Sequence, residues 1–157
     1  MVLKNLIDED FNNYKKPSML LGFPKCSFKC DRECGKQVCQ NSALATAPNV
    51  EVNPMDIIRR YENNSLTQAV VIGGLEGFDS WVDLHNFIFL FRSVSDDDIV
   101  IYTGYTKCEI ADKVKILKEF PNIIIKYGRY IPNQKPHYDE ILGVDLASDN
   151  QYAERIG

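Results

Sequence analysis

Apolar stretches punctuate this chain, and polar or glycine-rich breaks separate them at intervals that suit alternating strands and helices. Ser18-Met19-Leu20-Leu21-Gly22-Phe23 is short and almost wholly apolar, which predicts a buried strand. Ala69-Val70-Val71-Ile72 is a continuous apolar run ended by Gly73-Gly74, as expected of a strand covered on both faces. Asp98-Ile99-Val100-Ile101-Tyr102, broken by Thr103-Gly104, and Asn122-Ile123-Ile124-Ile125-Lys126 predict two more strands. Between these runs the apolar positions recur at helical spacing. Asn53-Pro54-Met55-Asp56 is a helix start: Asn53 caps, Pro54 takes the first helical position, and Ile57, Ile58 and Tyr61 supply the apolar face. A second helix is predicted to open near Asp79 and to run through Trp81, Leu84, Phe87, Ile88 and Phe91. A third is capped by Thr106 and carries Ile110, Val114 and Leu117. Phe87, Phe89, Leu90 and Phe91 make the middle helix apolar on nearly all sides, mostly core with one face open to a partner.

Strands and helices alternating at this rhythm predict a parallel α/β sheet, whose chemistry gathers at the carboxyl ends of the strands. Three segments fall there: a cysteine-rich stretch after the first strand, Gly73-Gly74-Leu75-Glu76 after the second, and Tyr102-Thr103-Gly104-Tyr105 after the third. About four βα units cannot close an eight-stranded barrel, which takes ~250 residues. The predicted fold class is therefore α/β, an open partial (β/α) barrel with a mostly parallel sheet and one side of its site left for something else to cover. One domain spans residues 1–157, with residues 1–17 as an N-terminal extension and residues 24–41 as the cysteine loop.

Composition narrows the picture. A chain of 157 residues that is 45% hydrophobic can bury a single packed core. A net charge of -4 gives no global basic field, so no nucleic acid partner is expected. Residues 1–16 carry Asp8, Glu9 and Asp10 and no continuous apolar core, so they do not read as a secretory signal, and no run approaches a membrane span. The expected location is the cytoplasm, with no membrane partner. Five cysteines in a reducing compartment bind metal or stay free rather than form disulfides.

Cys26, Cys30, Cys34 and Cys39 crowd into one short stretch. Several thiolates on one loop can wrap a soft metal centre. The alternatives are an iron–sulfur cluster, a structural zinc site and unrelated free thiols. Zinc sites usually show paired CxxC spacing, whereas here both Cys26 to Cys30 and Cys30 to Cys34 are CxxxC, which favours the cluster. Lys25, Lys29, Arg32 and Lys36 outnumber Asp31 and Glu33 around the cysteines. Such a collar suits thiolate charge or the docking of an acidic electron donor such as a flavodoxin or ferredoxin, and equally an ordinary solvated loop.

A CxxxC pair after a first strand, a later cysteine followed by any residue and Asn (Cys39-Gln40-Asn41), a Gly-Gly-acid segment after the second strand and Tyr-Thr-Gly-Tyr after the third resemble the radical S-adenosylmethionine enzymes. More narrowly, these motifs, the chain length and the ending Ala147-Ser148-Asp149-Asn150-Gln151 resemble the small activating proteins of anaerobic ribonucleotide reductases. The resemblance runs from about Leu20 to the C-terminal end. Two departures stand out. The usual CxxxCxxC is lengthened after Cys30, so the third ligand is Cys39, favoured by Gln40-Asn41 behind it, or Cys34. The usual Gly-Gly-Glu is here Gly73-Gly74-Leu75-Glu76, with Leu75 intervening.

The resemblance implies a [4Fe-4S] cluster held by Cys26, Cys30 and Cys39, with one iron open to S-adenosylmethionine. It also implies cofactor contacts from Asn41, Gly73, Gly74, Glu76, Thr103 and Gly104. Reductive cleavage of the cofactor would give a 5′-deoxyadenosyl radical and then a glycyl radical on a large partner enzyme, the cofactors carrying the hard chemistry. No acid/base dyad is then required. His85 reads as helix packing or surface, His137 as part of a Pro/Tyr loop, and Cys108 as a small buried or half-buried thiol. The competing functions are a radical enzyme acting on a small molecule or peptide, and a non-catalytic iron–sulfur or zinc protein. Ligation by all four clustered cysteines would close the open iron and favour the latter.

Overall fold

Continuous apolar runs have no polar face to give to water, and here they become neighbouring strands of one sheet. The structure, a computed structural model, describes residues 1–26, 29–35 and 42–157, the side chains of Lys29, Cys30 and Ser42 apart. Along the chain run β1 (Val2–Leu3), β2 (Asn5–Asp10), β3 (Ser18–Phe23), α1 (Lys29–Cys34), α2 (Ser42–Ala45), β4 (Val50–Glu51), α3 (Pro54–Glu62) and β5 (Ala69–Gly74). A 3-10 turn (Gly77–Ser80) then leads into α4 (Trp81–Phe91), followed by β6 (Asp98–Tyr102), α5 (Ala111–Leu117), β7 (Ile123–Tyr127), β8 (His137–Asp139), β9 (Val144–Leu146) and β10 (Tyr152–Arg155).

The central sheet has six strands in the order β10-β7-β6-β5-β3-β2. Its four inner strands are parallel, with Leu21 opposite Ile72, Ile72 opposite Ile101 and Ile101 opposite Ile125. The edge strands β2 and β10 run antiparallel to their neighbours. The architecture is thus a mixed α/β fold around a mostly parallel sheet, not a closed barrel. Alternation along the strands sorts side chains onto two faces. Leu21, Ile72, Ile101 and Ile125 face the helices, where Ile58, Leu84, Phe87, Phe91, Val114 and Leu117 complete the larger core. Leu20, Val71, Val100 and Ile124 face the other way, against Tyr14 from the β2–β3 loop and against Leu142 and Leu146.

At the amino ends of the strands, Asp98 anchors that second face. Its carboxylate accepts from Tyr14 Oη at 2.8 Å, Lys16 Nζ at 2.6 Å and Arg155 Nη1 at 2.9 Å. Burial alone would raise the Asp98 pKa, but hydrogen bonds from Arg155, Lys16 and Tyr14 outweigh it and hold the group down at about 2. The Tyr14 hydroxyl is pushed up to about 12, first by burial and then by Asp98.

Several elements depart from the sequence reading. The segment expected as an N-terminal extension contributes β1 and β2, the latter an edge of the central sheet. The cysteine loop contains a short helix, α1. Asp79 lies in the 3-10 turn rather than at the head of α4. Thr106 does not cap α5, which starts at Ala111; Thr106 instead closes a turn in which its backbone N donates to Glu109 Oε2 at 2.8 Å. Asn53 caps α3 as its sequence implies, accepting from the Met55 backbone N at 2.9 Å. Among the described residues, no helix is long and apolar enough to cross a membrane.

Candidate functional site

The segments that cover the second face stop short of the carboxyl ends of the strands, and a cavity of about 350 Å³ lies there. Its size falls within the ~300–1,000 Å³ usual for small-molecule sites. Cys26, Gly73, Gly74, Glu76, Thr103 and Gly104 all line it, so six residues singled out from separate motifs meet at one place. Parallel register is the cause: Gly22 pairs with Gly73 and Ile72 with Ile101, which brings the turns after β3, β5 and β6 level with one another.

The two glycines differ. Gly74 has φ of 78°, and a Cβ there would come within 2.8 Å of both Gly22 Cα and Leu44 Cδ2. A Cβ on Gly73 would find only Tyr102 Cβ, at an ordinary 3.8 Å. Gly74 is therefore demanded by the close approach of β3 and β5, whereas Gly73 leaves backbone bare toward the cavity.

Glu76 ties the turns together. Its backbone N donates to Lys25 O at 2.7 Å, fastening the start of the cysteine segment. Oε1 accepts from Phe78 N at 3.2 Å and from Thr103 Oγ1 at 2.9 Å, and Oε2 accepts from Gly104 N at 2.9 Å. Thr103 Oγ1 in turn accepts from Tyr105 N at 3.0 Å. Burial pushes the Glu76 carboxyl up to about 7, although these same hydrogen bonds pull it down. The Glu76 carboxylate thus caps the 3-10 turn and braces Thr103-Gly104, an architectural task.

The far wall was not foreseen from the sequence. Lys126, Gly128, Tyr130 and Gln151 line it, and Asn5, Asn13 and Tyr102 close the near side. Lys126 is buried at the inner face of β7 and donates to Gly128 O at 3.1 Å. The same carbonyl accepts from Gln151 Nε2 at 3.3 Å. Tyr102 Oη donates to Asn13 O at 2.6 Å, and burial raises its pKa. A lysine inside the otherwise apolar β7 was a signal in the sequence for this wall. The ending at residues 147–151 is a knot: Gln151 Oε1 accepts from Ala147 N at 3.1 Å and Ser148 N at 3.2 Å, while Asn150 Nδ2 donates to Arg129 O at 2.8 Å.

Cys39 and Asn41 lie outside the described residues, and Cys30 is placed only through the backbone of α1. Cys34 closes that helix, half-buried, and is not among the cavity-lining residues. Among the described residues, no group of three or more His, Cys, Asp and Glu side chains is gathered as metal ligands. Cys108 is exposed, not buried as expected, because it sits on the turn before α5. His85 packs between the rings of Trp81 and Phe120, at 5.4 and 5.8 Å. His137 Nε2 lies 3.0 Å from Gln151 O, within the C-terminal knot. Of the basic collar, Lys25 and Arg32 are exposed.

The chain matches no protein-family model, and no curated protein or solved structure is significantly similar to it.

Proposed function

We propose that the chain is a radical S-adenosylmethionine activating enzyme that generates a glycyl radical on a large partner such as an anaerobic ribonucleotide reductase. The observation that carries this reading is the meeting of Cys26, Gly73-Gly74 and Thr103-Gly104 at one cavity on the carboxyl ends of parallel strands. The described residues fit the group as far as they reach: a soft thiol donor opens on the same space as a glycine backbone with room for a ligand. Cys26, Cys30 and Cys39 would hold a [4Fe-4S] cluster, with Cys34 as the alternative third ligand. When bound, cluster and cofactor supply an electron and a carbon–sulfur bond whose cleavage gives a hydrogen-abstracting radical.

The chain's own residues do the remaining work. The bare backbone at Gly73 admits the cofactor, the Glu76 carboxylate keeps the Thr103-Gly104 turn at a fixed height, and Leu20, Val71 and Leu44 exclude water from the inner wall. Asn41, if it follows the motif it resembles, adds a polar contact to the cofactor. The sheet is open rather than closed, so a loop of the partner would complete the site. An acidic donor such as flavodoxin or ferredoxin would find Lys25 and Arg32 on the exposed side of the cysteine segment. A reducing cytoplasm suits such thiols.

The test is anaerobic reconstitution followed by assay for reductive cleavage of S-adenosylmethionine to 5′-deoxyadenosine, and then for an organic radical on the added partner. Cleavage and a partner-dependent radical are expected. Turnover of a small molecule without a partner would move the reading to the other radical enzymes. A cluster that never cleaves the cofactor would leave a non-catalytic iron–sulfur protein, and stoichiometric zinc without iron would dismiss both.

A further inference from the structure

The cysteine segment leaves the sheet at the end of β3, yet one of its side chains arrives beside the loop after β7. Glu33 Oε1, on α1, lies 3.1 Å from Arg129 Nε, and the same guanidinium donates through Nη2 to Glu109 Oε1 at 2.5 Å. Strands β5 and β6 stand between β3 and β7. Neighbouring strands are ~4.8 Å apart, so Glu33 meets Arg129 roughly 14 Å across the sheet from β3, whereas α1 itself, six residues, is about 9 Å long. On the near side, Lys25 O accepts from Glu76 N at 2.7 Å. Arg129 is the far fastening, and it is itself well held. Its side chain is 11% exposed, its carbonyl accepts from Asn150 Nδ2 at 2.8 Å, and its neighbours Gly128 and Tyr130 line the cavity. Glu109 is steadied in turn by the Thr106 backbone N at 2.8 Å. The Nη2 bond to Glu109 fixes the direction of the guanidinium, whereas the Nε contact with Glu33 is an ion pair without hydrogen-bond geometry.

We propose that Arg129 is a positioning residue whose ion pair with Glu33, beside its bond to Glu109, ties the cysteine-bearing helix α1 to the loop after β7, where Gly128 and Tyr130 line the cavity. The latch itself stands on this geometry; only the identity of what the cysteines bind rests on the proposed function. Because the Glu33 side chain is 59% exposed, the pair is worth little enough to open and close.

Hydrogen exchange of the metal-free full chain, read by mass spectrometry, reports protection of residues 29–35 directly. Arg129→Met and the surface change Glu33→Gln should each speed exchange there by up to about fivefold. The double variant should exchange no faster than either single one, and Arg129→Lys should keep part of the protection. Salt near 1 M should speed exchange in the native chain and not in Arg129→Met. Cobalt(II) titration, followed by thiolate-to-cobalt absorption, should need several-fold more metal in both single variants. Effects that add in the double variant, or unchanged protection in either single variant while β5 and β6 stay protected, would overturn the latch. Lost protection with unchanged cobalt affinity would overturn its positioning role. An intact latch on a native chain that takes up neither cobalt nor iron would overturn the proposed function alone.

Discussion

Gly73 and Gly74 are adjacent and chemically identical, yet the fold asks different things of them. Gly74→Ala forces a side chain into the left-handed region and against Gly22 and Leu44. It should cost about 2–4 kcal/mol of stability, measured by urea unfolding. Gly73→Ala meets nothing closer than 3.8 Å and should leave the unfolding midpoint nearly unchanged while placing a methyl in the cavity. Its effect belongs to ligand affinity, so equilibrium dialysis with S-adenosylmethionine should show weakened binding. Unaltered affinity would remove Gly73 from the proposed cofactor site. Glu76 makes a second residue-scale prediction. The unfolded chain releases this proton near 4.5, whereas burial holds it to about 7 in the native state. Between those values the folded protein binds more protons, so the Glu76 contribution to stability falls as pH rises and levels off above 7. Its full size is on the order of 3 kcal/mol. Glu76→Gln should abolish this component, seen as a difference between the two melting curves that changes from pH 4.5 to 7 and is flat beyond. A constant difference would contradict a raised carboxyl pKa.

At the scale of elements, the C-terminal knot connects the cavity wall to the sheet edge. Gln151→Ala removes the acceptor for Ala147 N and Ser148 N and the donor to Gly128 O. Gly128 O keeps Lys126, but leaving the Ala147 and Ser148 backbone N–H groups without partners should cost roughly 2–3 kcal/mol, and the loop bearing Gly128 should lose exchange protection with it. Unchanged protection of that loop would separate the knot from the wall. The inner strands were readable from the sequence because they are covered on both sides, so their positions are nearly all apolar and glycines mark their ends. The edge strands were not. In β2, Asn5-Leu6-Ile7-Asp8-Glu9-Asp10 buries only Asp10 well, and β10 only Ala153. The helix expected from Thr106 failed for another reason: Glu109 does answer Thr106, as a capping residue would, but the pair closes a turn and the helix begins beyond it. The near half of the site was legible because glycine turns and cysteines announce themselves. The far half was not, since Lys126, Tyr130 and Gln151 come together only through the pairing of β7 with β6 and β10.

Across the whole molecule, the sheet is pinned at one end by charge and opens on the cavity at the other. Asp98 joins the β2–β3 loop, β6 and β10 through Tyr14, Lys16 and Arg155. Its pKa is depressed from 3.8 to about 2, so its stabilisation is present above 3.8 and disappears as pH falls toward 2. Asp98→Asn should lower stability at neutral pH by about 1–3 kcal/mol, since Lys16 and Arg155 can still reach water. The variant should also lose the acid-sensitive limb of the unfolding curve, and an unchanged limb would assign acid unfolding to other carboxylates. The pairing of β10 with β7 has a consequence for how the protein is made. Cys26 leaves the ribosome early, but Gln151, which completes the wall opposite it, is synthesised roughly 125 residues later. At 5–20 residues per second that interval is roughly 6–25 s. For that time Cys26 lacks the wall that faces it in the folded chain, and an uncovered thiol is open to oxidation.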